Sequence, residues 1–309
     1  MASNDFCRVC GSDARSKMVD GVRDWEYGVA GEYGYYRCSQ CGMIQIHPFP
    51  DLCALRKAYD IDYHGHASGA QRGYIIEKLL EVNDLLIRFG LKKYLKPGCA
   101  ILDVGCGSGA FLEKLKFIHP MRLDGIDFSI KAVQMAQAKG IMIYHGVFAD
   151  FPSPDGVYDV IFMNNYLEHV IDPMGELLKA RRLLKAGGLL VGEVPNFKSF
   201  DQWLFGKYWG GNHVPRHTFQ FAPQSLSDLL EKAGYQQISI HHQINPSHFA
   251  LSVQNYMQRN KVDLYNNKSL IKGRAKGYYS LLLLGLLPIN IILAWMRRSG
   301  LMRFAARNN

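Results

Sequence analysis

Acidic residues almost vanish from the end of this 309-residue chain. Residues 255–309 hold Asp263 alone against ten cations: Arg259, Lys261, Lys268, Lys272, Arg274, Lys276, Arg297, Arg298, Arg303 and Arg307. The difference, +9, is the whole formal excess, which leaves residues 1–254 close to neutral. Positive charge confined to one end argues against a chain that reads nucleic acid along its length. Also missing is an apolar h-region between Met1 and Asp20, which predicts an intracellular chain with no secretory leader. Low-complexity segments are absent, and one pair of cysteine motifs is the only internal repeat. With 48% apolar residues, the chain is able to bury one full α/β core plus smaller appendages.

Present instead is a glycine-rich turn between a strand and a helix. The apolar run Ile101-Leu102-Asp103-Val104 ends in Gly105-Cys106-Gly107-Ser108-Gly109, and Ala110-Phe111-Leu112-Glu113-Lys114-Leu115 starts a helix. Such glycines let the backbone turn sharply and approach a ligand closely. Alone, the turn serves nicotinamide, flavin and S-adenosylmethionine (SAM) sites alike. Later features narrow it. Leu123-Asp124-Gly125-Ile126-Asp127 reads as a second strand ending in an acid placed for a ribose diol. Tyr158 to Met163 reads as a strand running into Asn164-Asn165-Tyr166-Leu167-Glu168-His169-Val170, and a helix ends at Lys185-Ala186-Gly187-Gly188 before a strand from Leu189 to Val194. In this order, residues 100–196 resemble the class I SAM-dependent methyltransferases. The resemblance implies a doubly wound, Rossmann-like α/β sheet with SAM as cofactor. Asp103, Gly105, Cys106, Gly107 and Gly109 would shape the methionine pocket, Asp127 would hold the ribose, and Phe128 would lie against adenine. Ala149 and Asp150 would meet the adenine edge, and Asn164 would close the pocket. Because the sulfonium transfers its methyl directly, Cys106 is not expected to act as a nucleophile.

Near the N-terminus, Cys7-Arg8-Val9-Cys10-Gly11 recurs as Cys38-Ser39-Gln40-Cys41-Gly42. Two such knuckles fit a zinc ion held tetrahedrally by Cys7, Cys10, Cys38 and Cys41. Four thiolates leave the metal no open position, so the expected role is structural. Redox use, the alternative, favours a C-x-x-C at a strand-to-helix turn of a βαβ unit, and neither pair sits at one. Trp25, Tyr27, Tyr33, Tyr35 and Tyr36 are expected to build a small β-ribbon, giving a zinc-ribbon-like module over residues 1–62.

Within the basic end, Gly277 to Met296 is a run of twenty residues without charge. It is long enough to cross a bilayer, but Gly285, Pro288 and Asn290 interrupt it and cations flank both ends, which disfavours a single crossing. The expectation is a shallow hairpin or interfacial helix pair, its flanking cations each attracted to anionic lipid by about 1 kcal/mol. A core helix or an oligomer interface is the alternative. Residues 257–309 therefore read as a basic, apolar, membrane-associating C-terminal segment.

Residues 63–256 read as the methyltransferase domain. Arg72 to Phe89 has helical periodicity, and Asp172-Pro173 caps a helix reaching Leu184. A further helix runs from Pro223 to Ala233-Gly234, and Tyr235 to His242 alternates as a strand, with Ser247 to Tyr256 as its expected hairpin partner. The aromatic insertion 196–222 leaves the carboxyl end of a strand, where an open α/β sheet builds its substrate pocket. There His213 and His217 are candidate proton acceptors and Arg216 a candidate anion clamp; alternatively Arg216 pairs with an acid and the histidines cap backbone. Glu168-His169 resembles the E-H-V element of ubiquinone-type O-methyltransferases, whose earlier metal-holding glutamate is replaced here by Asn165. Asn164-Asn165-Tyr166-Leu167 is not the N/D-P-P-Y turn of amine-methylating nucleic-acid enzymes.

Over residues 5–240 the chain resembles bacterial class I methyltransferases that carry the paired-knuckle module and occur among enzymes of surface-glycan, lipid-linked and secondary-metabolite biosynthesis. This implies O-methylation of a small-molecule, glycan or lipid-linked acceptor, with His217, His213, Arg216 and His169 as catalytic candidates. The expected setting is cytoplasmic, peripheral on the inner face of an anionic membrane. Alternatives are an RNA or other nucleic-acid methyltransferase, a ubiquinone-type O-methyltransferase and a non-catalytic scaffold. Against nucleic acid, Asp5, Asp13, Asp20, Asp24, Glu26 and Glu32 offset the cations of the knuckle module.

Overall fold

The structure is a computed structural model that describes residues 6–60, 95–118, 121–259 and 277–309. The chain opens with a ribbon: β1 (Arg15–Val22) pairs antiparallel with β2 (Tyr33–Cys38), and β2 with β3 (Ile44–His47). β-Branched and aromatic residues at Val19, Val22, Tyr33, Tyr35, Ile44 and Ile46 suit this pleated, half-buried surface. A short helix, α1 (Leu52–Asp60), follows. The expected helix over Arg72 to Phe89 lies outside the described residues.

The main sheet begins with β4 (Ala100–Val104), all five residues buried, as a strand covered on both faces requires. The glycine turn leads into α2 (Ala110–Leu115), then β5 (Arg122–Asp127), α3 (Ile130–Gln137), β6 (Ile143–His145), β7 (Tyr158–Asn164), α4 (Pro173–Leu183) and β8 (Leu184–Pro195). Ser129 caps α3 by accepting from the Ala132 N–H, and Asp172 caps α4 by accepting from the Gly175 N–H, with Pro173 in the first turn. Beyond β8 the insertion forms α5 (Phe200–Phe205) and the two-residue β9 (Phe219–Gln220), before α6 (Pro223–Lys232) and β10 (Tyr235–His242). The chain then makes α7 (Ser247–Gln258), α8 (Gly277–Trp295) and β11 (Leu301–Asn308). Seven strands lie in the order β10-β11-β8-β7-β4-β5-β6, with β4 to β8 parallel and β11 antiparallel to both its neighbours.

Three expectations need correction. Ser247 to Tyr256 is helical: Pro246 starts the turn, and Phe249, Ala250, Leu251, Ser252, Gln254 and Asn255 are buried. The partner of β10 is β11, at the very end of the segment read as a separate membrane appendage. Since β10 ends at His242 and β11 begins at Leu301, the helices α7 and α8 fall in sequence between two strands of the main sheet. Finally, Gly277–Trp295 is one helix containing Pro288, not a hairpin, and among the described residues no helix is long and apolar enough to cross a membrane.

The knuckle module is not independent either. β9, from the insertion, pairs with β3 and completes the ribbon as β1-β2-β3-β9. Tyr35, Ile44 and Ile46 share one buried cluster with Val194, Phe219 and Leu226 of the main domain.

Candidate active site

At the carboxyl end of β4, Gly105, Gly107 and Gly109 adopt φ of 71°, 53° and 69°, a region that favours glycine. At Gly105 a Cβ would meet the Tyr166 ring at 2.6 Å, so the loop and Tyr166 are packed too tightly for any side chain. Asp127, at the end of β5, accepts from the Gly107 N–H through one carboxylate oxygen and from the Ser129 N–H through the other, each at 2.8 Å. The acid that the sequence assigns to the ribose therefore also fixes the turn. Asp103 is buried behind the loop, and burial with the neighbouring Asp127 pushes its carboxyl up to about 8. A cationic group in this pocket would favour both carboxylates. Cys106 is buried and its thiol is pushed up by burial and by Asp103, which fits a packing role. Phe128 is exposed beside the loop, Asn164 is half-buried at the end of β7, and Ala149 and Asp150 are exposed. Lys179 holds that edge by donating to the Ala149 and Phe151 carbonyls at 2.6 and 3.0 Å. A close-approach backbone, two acids and an exposed ring together fit an adenosyl donor carrying positive charge.

Beyond this cradle three histidines converge. His169 ends a 3₁₀ turn after β7, and its ring centroid lies 4.5 Å from His217 and 6.3 Å from His213; the latter two are 5.0 Å apart. Burial pushes His169 down to about 3 and, with its imidazole neighbours, holds His217 well below the usual histidine range, so both are neutral. His217 Nδ1 faces the Gly211 carbonyl at 2.9 Å and must donate to it, which leaves Nε2 as a lone-pair acceptor. Glu168 is fully buried with neither carboxylate oxygen hydrogen-bonded, and burial beside Glu193 pushes it up to about 8. Ligand atoms of Glu168, His169 and His217 all lie within 4.8 Å of one another. Such a carboxyl with two neutral imidazoles is able to take up a proton, and its donor set also suits a divalent cation.

Arg216 does not serve as an anion clamp. It is completely buried, with Nη2 on Asp24 at 2.8 Å, Nη1 on the Ala58 carbonyl at 3.0 Å, Nε on His213 Nε2 at 3.0 Å, and its guanidinium over the Tyr27 ring. With every donor nitrogen engaged inside, it braces the insertion against the knuckle module. His213 is committed with it: Nε2 accepts from Arg216, and Nδ1 faces Glu26 at 3.5 Å. Of the four catalytic candidates, His169 and His217 remain for chemistry. Tyr59 belongs to the Tyr59-Asp60-Ile61-Asp62-Tyr63 element of the family resemblance, but nothing in the sequence assigns it a site role. Its hydroxyl lies 2.8 Å from His169 Nδ1 and its ring packs edge-on at 5.0 Å to Phe128, bridging donor cradle and histidine cluster. Asp24 and Glu26 were also missed as site supports, since nothing in their spacing marks them as partners of a segment some 190 residues away.

In the ribbon, the sulfurs of Cys7, Cys10, Cys38 and Cys41 lie within 4.8 Å of one another, with Cys7–Cys41 and Cys10–Cys38 both at 3.5 Å and no disulfide among them. Gly11 and Gly42 take φ of 76° and 73° and donate to the Cys7 and Cys38 carbonyls, forming two matching turns. Tetrahedral zinc–thiolate geometry needs sulfurs about 3.8 Å apart. Burial raises Cys7 and Cys41, so without a cation the cluster resists becoming four thiolates. Spacing and donor set both fit a structural metal.

Comparison with known proteins follows the same lines. Residues 73–240, just over half the chain, match the family described as Methyltransferase domain. A ubiquinone biosynthesis O-methyltransferase of Cereibacter sphaeroides is 31% identical over 148 residues, covering 44% of this chain and 60% of the relative. Its counterpart in Maricaulis maris is 30% identical over 149 residues, covering 44% and 59%. The chain thus spans about 60% of the length of these curated relatives. Among solved structures, a Galdieria sulphuraria protein titled as a sarcosine dimethylglycine methyltransferase superposes with a TM-score of 0.52 at 15% identity, covering 82% of this chain and 96% of that one. At that identity the likeness concerns the fold.

Proposed function

Because the chain belongs to the methyltransferase-domain family matched over residues 73–240, we propose that it transfers a methyl group from SAM to a hydroxyl of a small-molecule, glycan or lipid-linked acceptor presented at a membrane. The observation that carries this reading is the adjacency of two features: the glycine cradle with Asp103 and Asp127, and a cluster of the buried Glu168 and His217 with the half-buried His169, both imidazoles neutral. When bound, the sulfonium supplies an electrophilic methyl. Asp103 and Asp127 favour its positive charge, Tyr59 orients His169, and His217 Nε2 is placed to accept the proton released by the attacking hydroxyl. Relatives named for ubiquinone biosynthesis O-methylation support oxygen as the methylated atom. A zinc ion on Cys7, Cys10, Cys38 and Cys41 has a structural role, holding the ribbon that braces Arg216 and His213.

The test is threefold. Calorimetry should show SAM binding that Asp127→Ala weakens by roughly 1.5 to 3 kcal/mol, the cost of a lost charged acceptor. His217→Ala should keep SAM affinity and lose at least about tenfold in transfer. Mass spectrometry of lipid and glycan extracts from cells with and without the protein, read for a gain of about 14 Da per methyl transferred, identifies the acceptor. A protein that binds no SAM ends the proposal.

A further inference from the structure

The helix α8 is apolar all round yet only partly covered. From Tyr279 to Met296, only Asn290 and Leu293 are buried among the described side chains and Leu282, Leu283, Leu284, Leu286 and Leu287 are half-buried, while Leu281, Ile289, Ile291, Ile292, Trp295 and Met296 are exposed; the helix packs against α7. A helix without a polar face belongs inside a protein or against lipid. Its C-terminus is tied to the insertion, where the Phe200 N–H donates to the Arg298 carbonyl at 2.8 Å, and α5 adds the exposed pair Trp203 and Leu204. Exposed apolar side chains thus occur both on α8 and on the insertion that carries His213 and His217, and α8 and α5 both pack against α7.

Charge decides the occupant. Residues 264–309 hold eight cations, Lys268, Lys272, Arg274, Lys276, Arg297, Arg298, Arg303 and Arg307, and no acid. Arg297 and Arg298 are exposed directly beside Trp295 and Met296, whereas Arg303 and Arg307 are engaged on the sheet by Glu193 and the Gly187 carbonyl. A second copy of this chain would bring cation against cation. We infer that α8 and α5 form a platform that lies in the interface of an anionic bilayer, Trp295 and Trp203 at headgroup level and Arg297 and Arg298 on lipid phosphates. This deepens the proposed membrane-side setting of methyl transfer and places the insertion, not only a tail, on the lipid.

Truncation does not test it, because β11 lies beyond α8 and belongs to the sheet. Tryptophan fluorescence does. Of four tryptophans, Trp25 and Trp209 are 9% and 1% exposed, while Trp203 and Trp295 are 69% and 84% exposed. Full-length protein should shift its emission to the blue on vesicles of phosphatidylcholine with about a third phosphatidylglycerol, and brominated acyl chains should quench it. Pure phosphatidylcholine should bind more weakly, and added salt should weaken the anionic binding. Ile292→Ser with Trp295→Ser should lower vesicle affinity at least about tenfold while SAM affinity and circular dichroism stay unchanged, which separates failure of the platform from failure of the methyl-donor assignment. No shift on either vesicle overturns the inference. So does a concentration-dependent dimer that buries both tryptophans without lipid.

Discussion

Asp24 shows how a residue far from any motif is able to hold a site. One carboxylate oxygen accepts from the Glu26 and Tyr27 N–H groups, and the other accepts from the Val29 N–H and bonds to Arg216 Nη2. Removing one partner of a buried pair leaves the other charge uncompensated, which costs about 3 to 5 kcal/mol. Asp24→Ala should lower urea-denaturation stability by that amount, and a double variant, Asp24→Leu with Arg216→Met, should recover part of it. Glu168 makes the opposite kind of prediction. Its folded pKa, about 8, is raised above the ordinary 4.5 by burial. The stabilisation of the neutral acid is fully present below pH 4.5 and is lost as pH rises through 8. Glu168→Gln, which mimics the protonated acid, should gain on the wild type by roughly 1.4 kcal/mol per pH unit between pH 5 and 8 in denaturant titrations. Parallel stability curves would show that the carboxylate is ionised through a partner. The donor loop was legible because Gly105, Gly107 and Gly109 and the acids at strand ends are local necessities of chain turning. Arg216 was ambiguous in sequence, since its partner on the knuckle module is visible only once both segments are folded together.

Among the elements, β4, β5, β7, the body of β8 and the capped helix α4 were readable from short-range pattern; the three-residue β6 and β11 were not, and Leu184 to Gly188, read as a helix end, opens β8. Leu301 to Asn308 alternates Met302, Phe304 and Ala306 inward with Arg303, Ala305 and Arg307 half-exposed, a period of two hidden within a run of cations. Arg303 pairs with Glu193 on β8, and Arg307 donates to the Gly187 carbonyl at 2.8 Å, so two of the ten terminal cations serve sheet register. The misreading of α7 has the same origin. Ser247 to Tyr256 is short and rich in residues neutral between helix and strand, and the strand that pairs with β10 lies more than forty residues further on. Because β11 sits between β8 and β10, a chain ending at residue 300 loses both antiparallel ladders and leaves two strand edges open. That truncation should abolish cooperative thermal unfolding, whereas Leu281→Ser on exposed α8 should leave the melting temperature within about 2 °C.

For the whole molecule, the knuckle ribbon and the insertion pack as one body, so a metal held by the four cysteines would support the histidines of the insertion. Tyr35 on β2 donates to the Asn212 and His217 carbonyls at 2.7 and 2.8 Å, β3 pairs with β9, and Asp24 and Glu26 hold Arg216 and His213. Among the described residues the glycine cradle rests instead on β4 and β5, and Tyr59 of α1 meets it by packing on Phe128. Stripping the metal, or Cys41→Ser, should therefore divide the two functions. Zinc should copurify at about one per chain and be lost with that substitution. SAM affinity should change by less than about threefold, while turnover on the acceptor should fall at least about tenfold as His217 loses its backbone support. The readouts are metal analysis of freshly reduced protein, calorimetry for SAM and single-turnover transfer for the acceptor. Equal loss of SAM binding and turnover would mean that the ribbon supports the entire sheet and not the insertion alone. Unchanged turnover in metal-free protein would mean that the shared hydrophobic cluster of Tyr35, Ile44, Ile46 and Phe219 holds the histidines in place without the ion.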